Sequence, residues 1–174
     1  MFTKKYIFIN ILMLVSIYFL AGCATYRPYV HFEEGAKLNK QTAFFIAPVI
    51  NESNTESQKD PCSMFISVIK GNLEKNGFTV VEKENTNVVK IQCRLIEYDP
   101  GSKTLRYFVG FGAGTGICTM YAEIINEKKT IGEIRTTRKL AGGLFGGSKT
   151  DLIFAVSNDI SKEIIKIAKD MDAN

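Results

Sequence analysis

Ile117-Cys118-Thr119-Met120-Tyr121-Ala122-Glu123-Ile124-Ile125-Asn126-Glu127-Lys128-Lys129-Thr130-Ile131 is the stretch whose reading decides the fold. Cys118, Met120, Ala122 and Ile124 recur at every second position, the period of a half-buried strand. Asn126 to Lys129 is polar and charged and reads as a turn, and Ile131 to Leu140 reads as the returning strand. If Asn126 stands opposite Ile131, Ile117 stands opposite Leu140, so the segments beyond both residues leave from one open end of the hairpin.

Upstream, Val89, Ile91, Cys93 and Leu95 alternate with Lys90, Gln92, Arg94 and Ile96, which predicts another half-buried strand with Cys93 on its core face. Asp99 to Ser102 is a turn by composition, and residues 103–109 predict a further strand. Thr42 to Ile50 is a short apolar run rich in strand formers, with Pro48 at its end or edge. A helix follows: Asp60 as cap, Pro61 in its first turn, Phe65, Ile69 and Leu73 on one face beside Ile66, and Asn76-Gly77 as the stop. Phe78 to Val81 reads as a strand. After residue 147, Leu152, Val156, Ile160, Ile164, Ile167 and Met171 form the apolar stripe of a closing helix. The expectation is an α+β fold: a two-layer sandwich with a mostly antiparallel sheet of about five or six strands and two amphipathic helices, all in one domain over residues 41–174.

Eight of the 14 glycines fall into two clusters. The first holds Gly110, Phe111, Gly112, Gly114 and Gly116, and the second Gly142, Gly143, Phe145, Gly146 and Gly147. The hairpin register brings both to the same end, which makes them candidate interaction loops, since glycine lets backbone amides approach a partner. Tight turning and close packing of strand against helix is the more usual reason for glycine in such settings. Neither cluster is a nucleotide motif. The first breaks GxGxxG at Thr115, and the second has Ser148 where a phosphate-binding loop needs its lysine.

Leu105 to Gly114, the hairpin, the double glycines 142–143 and 146–147 and the closing helix together resemble the domain of unknown function 4410 family of bacterial envelope lipoproteins, over about residues 40–170. The sequence departs from that family's Asp-Gly hairpin turn at Asn126 to Lys129. The resemblance implies the α+β fold and an envelope location, and it implies no reaction.

Residues 1–22 look like an export leader: Lys4 and Lys5, then an apolar run from Tyr6 to Leu20, then small residues. The run is short for a membrane span of about 20 apolar residues. Leu20-Ala21-Gly22-Cys23 resembles the lipobox of bacterial lipoproteins. That resemblance implies cleavage between Gly22 and Cys23 and fatty acyl chains, of the palmitate type, on Cys23, where two or more chains anchor stably. By analogy with enterobacterial lipoprotein sorting, the resemblance with Ala24 rather than Asp behind the cysteine implies the outer membrane, facing the periplasm. Residues 23–40 read as a lipidated, loosely packed tether carrying Tyr26, Tyr29, Phe32 and the acidic pair Glu33-Glu34.

The chain has 174 residues and a net charge of +4; without its leader it has 152, with 20 basic and 18 acidic groups and a net charge of +2. That balance argues against a nucleic-acid binder and against a long polyelectrolyte. Cys62, Cys93 and Cys118 remain in a compartment that permits disulfides, and an odd number cannot all pair. Their spacing fits no zinc site and His31 is the sole histidine, so no metal or other cofactor is expected. Cys62 sits at a helix start, where a thiol gains acidity, yet no base accompanies it, and the chain reads as a non-enzyme. Two functions follow as expectations. One is a membrane-anchored envelope module that binds an envelope protein through the glycine-loop end. The alternative is a lipoprotein holding a small ligand or lipid between sheet and helices. The partners implied are the lipid bilayer through acylated Cys23 and an envelope protein, with no nucleic acid and no nucleotide.

Overall fold

A computed structural model of the chain describes residues 27–36, 38, 41–53, 61–102, 114–140 and 149–172. In chain order these form strand β1 (Tyr29–Phe32), β2 (Ala43–Ile46), β3 (Ile50–Asn51), helix α1 (Pro61–Lys75), β4 (Thr79–Val81), β5 (Val89–Asp99), β6 (Ile117–Asn126), β7 (Lys129–Lys139) and helix α2 (Lys149–Asp172). The seven strands make one mixed, mostly antiparallel sheet in the order β1-β7-β6-β5-β2-β4, with β3 also on β5. The α+β expectation holds, with seven strands in place of five or six. Residues 103–109, Asp60 and the glycines and phenylalanines of positions 110–112 and 142–147 lie outside the described residues, as do Gly22 and Cys23.

The hairpin is tighter than expected. Asn126 pairs with Lys129, not Ile131, because Glu127 and Lys128 both take positive φ (48° and 68°) and close a two-residue turn. A register shift between Ile124 and Ile125 then leaves Ile117 opposite Lys139. The open end is nonetheless as inferred: the Leu140 amide donates to the Gly116 carbonyl at 2.8 Å, so the segments that follow Leu140 and precede Gly116 start side by side.

Period-2 patterning places β5 and β6 as read. Val89, Ile91, Cys93 and Leu95, and Cys118, Met120, Ala122 and Ile124, are all buried on one face. Both helices pack there. Pro61, Phe65, Ile69 and Leu73 are the buried positions of α1. Leu152, Ile153, Val156, Ile160, Ile164 and Ala168 do the same for α2. The α1 stop is a two-bond cap: Phe78 donates to the Leu73 carbonyl and Gly77, at φ 88°, to Glu74. Phe44 and Phe78 meet edge to face, 5.6 Å apart.

Two regions differ in detail from their sequence reading. β2 and β3 form one parallel line on β5, broken at Pro48; Gln92 Nε2 donates to the Pro48 carbonyl at 2.9 Å across the break. The lead-in over residues 23–40 is not loose where it is described. Tyr29–Phe32 is an antiparallel edge strand on β7, and Ala36 and Leu38 are in the core, so the sheet and core take in residues ahead of position 41. The reason is tertiary. Phe32 lies opposite Gly132 and its ring fills the space where any larger residue would put its Cβ. A four-residue strand with so little periodic signal needs that groove to be recognised.

Candidate functional site

Two features of the fold are available to a partner: the open end of the central hairpin and the sheet face that no described element covers. At the open end, Asp99 Oδ1 accepts from the Gly101 amide at 2.7 Å, and the Ser102 amide donates to the Gly114 carbonyl at 3.1 Å. Gly101 lies against the backbone of Gly114 to Gly116 so closely that no Cβ would fit. The segment between Ser102 and Gly114 therefore starts and ends at one pinned neck, beside the start of the segment after Leu140. Of the expected loop residues only Gly114 and Gly116 are described; Gly114 takes a positive φ of 70°.

This end is locked to α2 by charge. Asp159 is 8% exposed and accepts from Arg138 Nε and Nη2, both at 2.6 Å, and from Thr136 Oγ1 at 2.8 Å. Arg138 and Thr136 project from β7 toward the helices because they share the core-side parity of Ile134. The Asp159 carboxylate raises the Arg138 guanidinium above its ordinary range, mainly through these hydrogen bonds. A doubly bonded arginine fork is rigid as well as strong.

On the uncovered face, strand register assembles a row that crosses four strands: Arg94 opposite Tyr121, Tyr121 opposite Arg135, and Arg135 opposite Tyr29. The Arg94 guanidinium stands 4.7 Å from the centre of the Tyr121 ring, a cation–π contact. It faces Glu123 at 3.4 Å and Glu52 at 3.9 Å, while its Nε–H is buried with no hydrogen-bond partner among the described residues. The Tyr121 hydroxyl is pushed up to about 12, first by burial and then by its hydrogen bond to Glu133 and the charges of Glu133 and Glu123. Arg94, Ile96, Tyr121 and Arg135 line a shallow depression of about 200 Å³. The next row, Gln92, Glu123, Glu133 and His31, is acidic. Sequence patterning put Arg94 on this face, but not beside Tyr121 and Arg135. That step needed the true hairpin register.

A second depression, of about 640 Å³, runs along the outer side of the helix pair, between Ser63, Ser67 and Gly71 on α1 and Phe154 and Asn158 on α2. Asn72 Nδ2 bridges the helices beneath it, to Asn158 at 2.7 Å and Ser161 at 3.0 Å.

The thiols divide as read. Cys93 and Cys118 are buried, and burial pushes both up to about 12. They stand opposite Ala122 and Tyr98, several residues apart along the β5–β6 ladder, which excludes a bridge between them. Cys62 is half-buried in the first turn of α1, and none of the three is in a disulfide. Among the described residues no group of three or more His, Cys, Asp or Glu is placed to hold a metal ion. No described helix is long and apolar enough to cross a membrane.

A small two-layer α+β domain with one charged sheet face that no described element covers is the class that fold and site define. Residues 32–143 match the domain of unknown function DUF4410, and the chain belongs to that family. No curated protein matches the chain. Among solved structures, two of the PelC dodecamer from Paraburkholderia phytofirmans are similar. One has 13% identity and a TM-score of 0.58, covering 78% of this chain and 98% of that one. The other has 16% identity and a TM-score of 0.54, covering 75% and 97%. Lipoprotein GNA1162 from Neisseria meningitidis aligns at 12% identity and a TM-score of 0.44 over 70% of this chain and 99% of that one. At these identities the PelC likeness establishes the fold.

Proposed function

We propose that the protein is a membrane-anchored interaction module of the bacterial envelope, held by acyl chains on Cys23 in the outer membrane and docking a periplasmic partner with its uncovered sheet face. The observation that carries this reading is the contrast between the two faces. The helix-covered face is filled by side chains with no exposed surface, among them Phe44, Phe65, Ile69, Leu73, Ile91, Met120, Ile124 and Ile160. Such packing leaves a lipid or small ligand no room between the layers, which weighs against the carrier alternative. The other face presents Arg94 stacked on Tyr121, with a buried Arg94 N–H that has no partner among the described residues, and these residue types concentrate binding energy at interfaces. Non-enzymatic action fits the buried thiols, whose raised pKa keeps them from acting as nucleophiles.

Membership of DUF4410 fits an envelope role, as does the leader with its lipobox-like Leu20 to Cys23. The test has two parts. Mass spectrometry of the membrane-extracted chain should find the amino terminus at Cys23 with acyl chains attached, and Cys23→Ser should release the protein into the soluble fraction. Cross-linked capture from membranes should then recover a partner with the wild type and lose it with Arg94→Glu or Tyr121→Ala at unchanged folding. Equal recovery with all three proteins would refute docking through this face.

A further inference from the structure

We propose that the domain rests on the bilayer by one corner, where Arg27, Tyr29, Arg135 and Lys139 lie against anionic lipid headgroups. This rests on the lipid-anchor reading and adds an orientation to it. The first argument is reach. Four residue steps separate Cys23 from Arg27, at most about 14 Å of extended chain. A folded domain of this size is roughly 35–40 Å across. The tether is therefore too short to let the domain tumble freely, and the β1 edge must stay close to the acyl chains.

The second argument is the chemistry of that edge. Tyr29 is 60% exposed, the most exposed large hydrophobic side chain among the described residues. It points to the uncovered face, because its neighbours Val30 and Phe32 pack on the core side. Tyrosine at this position suits the headgroup layer, with its ring toward the acyl chains and its hydroxyl in water. Arg135 stands directly opposite it on β7, and Lys139 shares that face four residues on. Arg27, Arg135 and Lys139 are exposed, and none makes an ion pair among the described residues. Each is therefore free to add to the attraction of an anionic leaflet, which falls off within a Debye length of the surface.

Charge also sets which way the corner tips. β1 runs antiparallel to β7, so its N-terminal end lies toward Thr137 and Lys139, at the open end of the hairpin. On β1 and β7 the acidic groups lie toward the other end, together with Lys128 and Lys129. Glu133 is opposite His31, Glu33 pairs with Lys129, and Glu127 is in the turn. Elsewhere on the face Arg94 is balanced by Glu52 and Glu123. At the end nearest the tether, Arg27, Arg135 and Lys139 cluster on β1 and β7, with Glu97 and Asp99 two strands inward on β5, and that outer corner is the part of the end that an anionic surface attracts.

The sequence has no tryptophan, so Tyr29→Trp places a single fluorophore at the corner. Ile50→Trp is its counterpart at an exposed site four strands away, about 19 Å at the usual strand spacing. Both variants are made in the full chain, purified with their acyl chains and reconstituted into vesicles of phosphatidylethanolamine and phosphatidylglycerol containing a brominated lipid. Tyr29→Trp should show blue-shifted emission and at least threefold stronger quenching than Ile50→Trp. Adding Arg135→Glu and Lys139→Glu, or using neutral phosphatidylcholine vesicles, should reduce the quenching of the Tyr29→Trp chain at least twofold. Arg27→Trp is a second reporter with the same expected result. Lipidated, vesicle-bound protein with equal quenching at both sites would overturn the orientation and leave the anchor standing. Protein without acyl chains on Cys23 would overturn the anchor and the orientation with it.

Discussion

Replacing Arg138 by leucine removes two of the three hydrogen bonds that hold the Asp159 carboxylate, those from Nε and Nη2 at 2.6 Å, and leaves only Thr136 Oγ1 at 2.8 Å. The carboxylate stays on a residue 8% exposed. Breaking a buried ion pair from one side costs about 3–5 kcal/mol, because the remaining charge is uncompensated. The Arg138 side chain is 32% exposed, so water can reach the abandoned carboxylate and the cost falls at or just under the lower end, about 2–3 kcal/mol. For a domain of this size that lowers Tm by roughly 5–10 °C. Removing both partners is different. Arg138→Leu with Asp159→Leu exchanges the pair for apolar contact between β7 and α2 and should cost less than about 1 kcal/mol beyond local repacking. The measurement is a double-mutant cycle by urea denaturation, followed by far-UV circular dichroism, on the Cys23→Ser chain. A coupling energy above about 1.5 kcal/mol is expected. If Arg138→Leu costs less than about 1 kcal/mol, or the two single losses simply add, the pair does not tie the hairpin end to α2 and the reasoning fails.

Gly132→Ala should cost about 1–3 kcal/mol in the same assay, because its Cβ would overlap the Phe32 ring, and Phe32→Leu in the same chain should recover much of the loss. A substitution that leaves the urea midpoint unmoved would show that β1 does not pack as described. Lys128→Gly should stabilise by about 1 kcal/mol, since Lys128 holds φ 68° without the freedom of glycine, and an unchanged or lower midpoint would contradict the two-residue turn. Burial pushes the Cys93 and Cys118 thiols up to about 12 from an ordinary 9.0. Below pH 9 both states keep the proton. Between 9 and 12 the unfolded chain loses protons that the folded chain retains, so stability should fall by several kcal/mol as pH rises through that window. A profile that Cys93→Ala with Cys118→Ala does not flatten would refute the assignment. Under native conditions iodoacetamide should label Cys62 well before either buried thiol, and labelling of all three at one rate would rule out the packing around β5 and β6.

Much of the fold was legible along the chain because its elements announce themselves locally. Strict alternation over Val89 to Leu95 and Cys118 to Ile124 identified the two central strands and their core faces. The 3.6-residue stripes identified both helices, with Pro61 and Gly77 at the limits of α1. Burial of alternate or every-fourth residues is a property of one segment, and a linear sequence carries it whole. The lipobox-like Leu20 to Cys23 and the glycine clusters are local signals of the same kind.

What the tertiary structure alone decided is which segments become neighbours. β1 is four residues long, and only the groove that Gly132 leaves for Phe32 makes it a strand. The hairpin register depends on positive φ at Glu127 and Lys128, residues whose types give no hint of it, and on a shift beyond Ile124. From that register follow the row of Arg94, Tyr121, Arg135 and Tyr29 and the fork of Arg138 on Asp159. The neighbours in these groups lie from 14 positions apart in the chain (Tyr121 and Arg135) to 106 (Tyr29 and Arg135). Pairing across a sheet is set by contacts of long sequence separation, and a one-residue slip moves every side chain to the other face. The sequence by itself therefore determined a two-helix, sheet-based domain behind a lipobox-like Leu20 to Cys23, and the packed structure decided what the sheet face away from the helices presents.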